Sequence, residues 1–118
     1  MKKVFKRFFK GEGIEINPLY KILGKGVYAF QFSLGGNNTL STFICECISD
    51  TESTLEYMGD KLTLIDSTDF NGLPNRHLRF KDVNGKMVRL FFPAMDGQNK
   101  TCIITMDKVS YPALIKML

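Results

Sequence analysis

Residues 76–92, RHLRFKDVNGKMVRLFF, read as two strands folded about a turn at Val83-Asn84-Gly85. The length of that turn decides the register, and a slip of one residue would exchange the two faces. A two-residue Asn-Gly loop sets Phe80 against Arg89 and Arg79 against Leu90. Leu78 and Phe80 then face away from Val88, Leu90 and Phe92. A three-residue loop, with Gly85 in the left-handed conformation, sets Phe80 against Val88 and Leu78 against Leu90. All five apolar side chains then share one face, so the three-residue loop is expected, joining strands Arg76–Val83 and Lys86–Pro93.

The same reasoning extends in both directions. Upstream, Phe70-Asn-Gly-Leu-Pro74 is a turn, and a short strand is expected around Leu62–Ile65. Asp50-Thr-Glu-Ser-Thr-Leu55 resembles a helix start, with Asp50 or Thr51 as cap and acids in the first turn. Leu55, Met58 and Leu62 would form its apolar face; Gly59 weakens this reading and leaves a second hairpin as the alternative. Tyr28, Phe30, Phe32 and Leu34 alternate with small or polar residues, the period of a strand. Gly35-Gly-Asn-Asn38 has hairpin chemistry, and a partner strand runs from Thr39 to Ile48. Phe43, Cys45 and Cys47 occupy one of its faces, and Ile44, Glu46 and Ile48 the other. Apolar residues on both faces predict a central strand covered on both sides. Residues 14–22 are ambiguous, with Pro18 favouring an extended or turn entry. Downstream, Asp96-Gly-Gln-Asn99 is a turn leading into a strand at Lys100–Met106. Ser110-Tyr-Pro-Ala-Leu-Ile-Lys-Met-Leu118 then reads as a short helix with Ser110 as N-cap and Pro112 in its first turn.

The expected architecture is α+β: an antiparallel sheet of five to six strands with an N-terminal basic amphipathic helix and a short C-terminal helix. At 118 residues, with 44% apolar composition and ten Phe, the chain suits one domain with a real core. The body spans residues 14–118.

From Tyr28 onward the order of elements resembles the DcrB-like members of the PsbP-like α/β family. The stretches that carry the resemblance are VYAFQFSL, STFICECIS, TESTLEYMGDKL, NGLPNRHLRF, GKMVRLFFP and DGQNKTCIITM. Asn17-Pro18-Leu19 stands where the family has an aromatic start, and the basic N-terminal segment is an addition. The resemblance implies a partner-binding role, as in adaptor chaperones of type VI secretion, and brings no catalytic residues.

Charge is unevenly distributed. Lys2, Lys3, Lys6, Arg7 and Lys10 are five of the 16 Lys and Arg, with no acid among them. The rest of the chain holds 11 Lys and Arg against 12 Asp and Glu and is close to neutral. Val4, Phe5, Phe8 and Phe9 interleave with these cations, so a helix here would carry an aromatic stripe opposite a basic one. Such a helix could pack on the sheet, or bind an acidic partner or an anionic membrane surface through Lys2, Lys3, Phe5, Lys6, Arg7, Phe8, Phe9 and Lys10. Nucleic acid is disfavoured, because the neutral body offers no broad basic face to extend the contact.

In the chosen hairpin register, Arg79 faces Arg89, Lys81 faces Met87 and His77 faces Phe91. Like charges across a ladder need solvent or a neighbouring acid between them. Alternatively, Arg76, His77, Arg79 and Arg89 form an anion or acidic-peptide site, for which guanidinium groups are suited. Cys45, Cys47 and Cys102, with the lone His77, could hold zinc in principle. The two-residue Cys spacing on a strand is unlike a zinc knuckle, so buried small hydrophobes are expected, with no metal and no cofactor.

Three cysteines do not make a disulfide framework and suit a reducing compartment. The N-terminus has no apolar stretch typical of an export signal. Both features predict a cytoplasmic location. Hydrolase, metalloprotease, P-loop and dinucleotide-binding motifs are absent. The function expected is therefore non-enzymatic protein binding, as by a secretion adaptor chaperone, an immunity protein or a phage- or plasmid-borne inhibitor. A peripheral membrane module is the alternative, and a nucleic-acid-binding module the third. A near-neutral body with apolar edges is also compatible with a homodimer.

Overall fold

The computed structural model describes residues 17–35, 39–70, 73–93 and 101–118. One helix, α1 (Pro18–Leu23), is followed by eight strands: β1 (Gly26–Leu34), β2 (Thr39–Ser49), β3 (Glu52–Tyr57), β4 (Asp60–Phe70), β5 (Leu73–Lys81), β6 (Met87–Phe91), β7 (Thr101–Met106) and β8 (Val109–Met117). Each strand pairs antiparallel with the next, and β8 returns to pair with β1, so the sheet closes into a barrel. This corrects the expected α+β sheet of five to six strands.

The β5–β6 hairpin has the register that the apolar pattern selects, with Phe80 opposite Val88 and Leu78 opposite Leu90. The Asp82 carboxylate accepts from the backbone N–H groups of Asn84 and Lys86 at 2.8 and 2.9 Å. Gly85 turns the chain back at φ +83°. Alternation along all eight strands sends one set of side chains inward. Phe30, Phe43, Phe80, Phe92, Leu55, Leu78, Leu90 and Ile104 are fully buried there. Phe43 and Tyr57 lie 4.7 Å apart between ring centroids, and Phe32 lies 5.5 Å from both Phe43 and Tyr111. Eight strands enclose an interior about wide enough for side chains to fill, and here they fill it.

Two expected helices are strands. Over residues 50–62, the alternative hairpin is the one formed: Leu55 pairs with Leu62 across it. Met58 and Gly59, at φ +54° and +82°, make its tight turn. A helix would have buried Met58, which is instead 80% exposed. Residues 109–117 form β8, with Tyr111, Ala113 and Ile115 directed into the core. Pro112 sits where β8 pairs with β7 alone, since pairing with β1 begins at Leu114; that is an edge position of the kind that tolerates proline. Without β8, β1 and β7 would each present an unpaired edge.

The expectation that β2 is covered on both faces is also corrected. Phe43, Cys45 and Cys47 face the core, while Ile44, Glu46 and Ile48 are exposed on the outer wall. Pro18 begins a helix rather than an extended entry, at a first-turn position where its missing N–H costs nothing. The expected turn at 96–99 and the basic N-terminal helix lie outside the described residues. No helix among the described residues is long and apolar enough to cross a membrane. The barrel interior is packed with apolar side chains.

Closure makes β8 indispensable. Deleting residues 109–118 is expected to abolish the cooperative thermal transition and give aggregates. Circular dichroism melting and size-exclusion chromatography check this; a monomer that melts cooperatively would contradict it.

Candidate functional site at the open end of the barrel

The two ends of the barrel differ. At one end Leu19 of α1 is buried against the core. Asn17 caps the helix by accepting from the Leu19 backbone N–H at 3.1 Å and from the Ser53 hydroxyl at 2.6 Å. The Asn17 N–H donates to the Asp50 carbonyl at 2.7 Å. The Tyr28 hydroxyl donates to the Leu23 carbonyl at 2.6 Å and fixes the last turn of α1. That end is plugged.

The opposite end carries the β3–β4, β5–β6 and β7–β8 turns, and between them lies a cavity of about 230 Å³. Its walls include Tyr57, Leu62, Val88 and Met106, with Met58, Val83 and Met87 at the rim. Met58 and Val83 are 80% and 63% exposed. Leaving such side chains in water at a cavity edge is unfavourable unless something covers them. Asn84, Asp60, Asp82, Asp107 and, as the one cation among the described residues, Lys86 complete the lining. Asp82 is engaged with its own turn. Asp107 meets Lys86 at 3.7 Å, a pair whose side chains are each well over half exposed and which adds little to stability. Three carboxylates against one ammonium make the mouth negative and favour cationic ligands. Methionine side chains adapt to varied apolar shapes, which suits a rim that must close on a guest.

None of these mouth residues was legible as a site in the sequence. The available signal was a large apolar side chain at a turn, in Met58-Gly59 and Val83-Asn84-Gly85, where polar residues are usual. The candidate partner-binding residues Lys2, Lys3, Phe5, Lys6, Arg7, Phe8, Phe9 and Lys10 lie outside the described residues.

The proposed anion group is divided by the fold. Arg79 and Arg89 are direct cross-strand neighbours on the outer wall, with His77 opposite Phe91 two positions further along the pairing. The His77 and Phe91 rings lie 4.6 Å apart. Arg76, by the alternation of β5, shares the inward side with Leu78 at the plugged end, and its Nε is buried. A bulge in β4 between Leu64 and Asp66 places Asp66 opposite Arg79. Arg79 Nε donates to Asp66 Oδ1 at 2.8 Å, and Nη2 donates to Oδ2. This bidentate pair holds the Asp66 carboxyl below its ordinary value, burial opposing, and raises Arg79. Asp66 is thus the neighbouring acid that allows Arg79 to stand beside Arg89.

The cysteines and His77 do not meet, because the thiols face the core and His77 the outside. Cys45 Sγ and Cys47 Sγ lie 3.8 Å apart. The hydrogen bond to Cys47, then burial, pushes the Cys45 thiol far up; burial raises Cys102 to about 12. These two are protonated at neutral pH and pack as small hydrophobes. Among the described residues, no group of three or more His, Cys, Asp or Glu is placed to hold a metal ion.

No family model, curated protein or solved structure matches the chain.

The Asp66–Arg79 pair makes stability depend on pH. The Asp66 pKa is lower folded than unfolded, so its contribution is full above the unfolded value and is lost as pH falls through the folded one. Both groups are more than a third exposed. Asp66→Asn is therefore expected to cost no more than about 1 kcal/mol at pH 7. The gap to the wild type should begin to narrow near the unfolded aspartate value of about 3.9 and go on closing as pH falls through the lower folded one. Urea unfolding at pH 7 and pH 3 measures both; an undiminished gap at pH 3 would remove the ion pair as its cause.

Proposed function

We propose that the protein is a non-catalytic binding module that holds a segment of another protein in the open barrel mouth. The carrying observation is the combination at one end of an apolar cavity, two strongly exposed apolar rim residues and an acidic lining. The partner that fits is a segment with an apolar side chain to enter the cavity and a Lys or Arg to meet Asp60 and Asp107. Barrel mouths are among the usual places for binding. The packed lumen favours surface capture over enclosure of a ligand, since Phe30, Phe43, Phe80 and Phe92 leave the interior occupied. An adaptor or an inhibitor that acts by occupancy needs no more than such a surface.

Selection of random peptides against the full chain tests the reading. Recovered sequences are expected to pair an apolar residue with Lys or Arg. Met58→Glu with Val83→Asp, both at exposed turn positions, should weaken their binding at least tenfold while leaving the melting temperature within a few degrees. Peptides without that pairing, or binding that survives both changes, would overturn it.

A further inference from the structure

A second concavity lies on the outer wall beside the mouth. It has a volume of about 280 Å³ and is lined by Lys86, Met87, Arg89, Thr105, Asp107 and Lys108. Three of these are cations and one is an acid. They come from separate elements: Lys86 from the β5–β6 turn, Arg89 from β6, Thr105 from β7, and Lys108 from the β7–β8 turn. The antiparallel pairing of β6 with β7, which sets Arg89 opposite Thr105, brings them together.

Arg89 is the centre of the group. Its cross-strand neighbour Arg79 is already neutralised by Asp66. Arg89 is exposed and has no ion pair among the described residues, so its fork of donors remains available. The only acid in the concavity, Asp107, is 3.7 Å from Lys86 across an exposed gap that an incoming anion can displace. Thr105, whose hydroxyl lies 2.9 Å from that of Ser110, adds a neutral donor at the wall.

The β7–β8 turn supplies an independent observation. Met106 pairs with Val109, so Asp107 and Lys108 are its two central residues, at φ +51° and +67°. Tight turns of this kind ordinarily use Asn-Gly or Asp-Gly, because a side chain at positive φ is strained. Glycine at 108 would relieve the strain, yet the chain carries a lysine there, and that residue lines the concavity. Strained backbone of this sort concentrates where a side chain serves a site.

We propose that this outer-wall concavity is an oxyanion site that takes the phosphate group of a small phosphorylated molecule. Arg89 binds two phosphate oxygens as a fork, and Lys86 and Lys108 neutralise the remaining charge. The site is separate from the proposed guest position in the mouth, although Lys86, Met87 and Asp107 border both.

Titration of the full chain with inorganic phosphate, followed by amide NMR shifts at constant ionic strength, tests the proposal. Saturable shifts are expected at Arg89, Thr105 and Lys108, with little change at Lys116, an exposed residue at the far end of β8 from the β7–β8 turn. Arg89→Gln and Lys108→Gly should each weaken binding at least fivefold, and Asp107→Asn should strengthen it. Lys108→Gly should also raise the melting temperature, so its loss of binding cannot be a loss of fold. Shifts that never saturate, equal shifts at Lys116, or unchanged affinity in Arg89→Gln and Lys108→Gly would overturn the proposal. Binding to vesicles containing phosphatidic acid, without binding to free phosphate, would overturn it in favour of a membrane surface.

Discussion

Pairing of the last strand with the first is the constraint on which the molecule depends. Four residue pairs, from Tyr28–Met117 to Gln31–Leu114, close the sheet. Closure removes the two strand edges that a seven-stranded sheet would expose. It also fixes what is inside. Once the ring closes, each strand must send alternate residues into a space of limited width, and the large aromatics already favoured by strand backbones fill it. The contacts among Phe32, Phe43, Tyr57 and Tyr111 join β1, β2, β3 and β8, and it is closure that brings Tyr111 of β8 to Phe32 of β1.

A filled lumen moves binding to the ends and the outer wall. α1 plugs one end through Leu19 and the Asn17 cap. At the other end, three turns leave an apolar, acidic mouth, and the adjoining wall gathers Lys86, Arg89 and Lys108. The two sites differ in sign and chemistry although they share a border. The mouth favours an apolar, cationic guest, whereas the wall favours an anion. The ion pair between Asp66 and Arg79 keeps these roles distinct, because it leaves Arg89 as the guanidinium available to a ligand.

Two parts of the barrel could be read locally. Strict alternation marked β1, and the turn at residues 83–85 gave the β5–β6 register from apolar pairing alone. Residues 50–62 and 110–118 were misread because short segments with apolar residues three or four apart satisfy a helix as well as an alternating strand. Ser110 and Pro112 are compatible with either. For residues 50–62 the choice is between a helix and the local hairpin that sets Leu55 opposite Leu62; for residues 110–118 it is made by pairing with a distant strand, Phe30 with Ile115. No window around residues 110–118 contains that information. The sites follow the same division. The Arg79–Arg89 opposition followed from the hairpin. The position of Asp66 depends on a bulge with no evident local signal, and the mouth and the anion concavity gather side chains from turns and strands that only the folded sheet brings together.

The most direct measurement is a set of nuclear Overhauser contacts from the Phe30 backbone. A closed barrel gives cross-strand contacts between Phe30 and Ile115 and between Ala29 and Lys116, with slow amide exchange along 113–117. Sequential amide–amide contacts running through 113–118, with none to β1, would show a terminal helix and contradict the barrel.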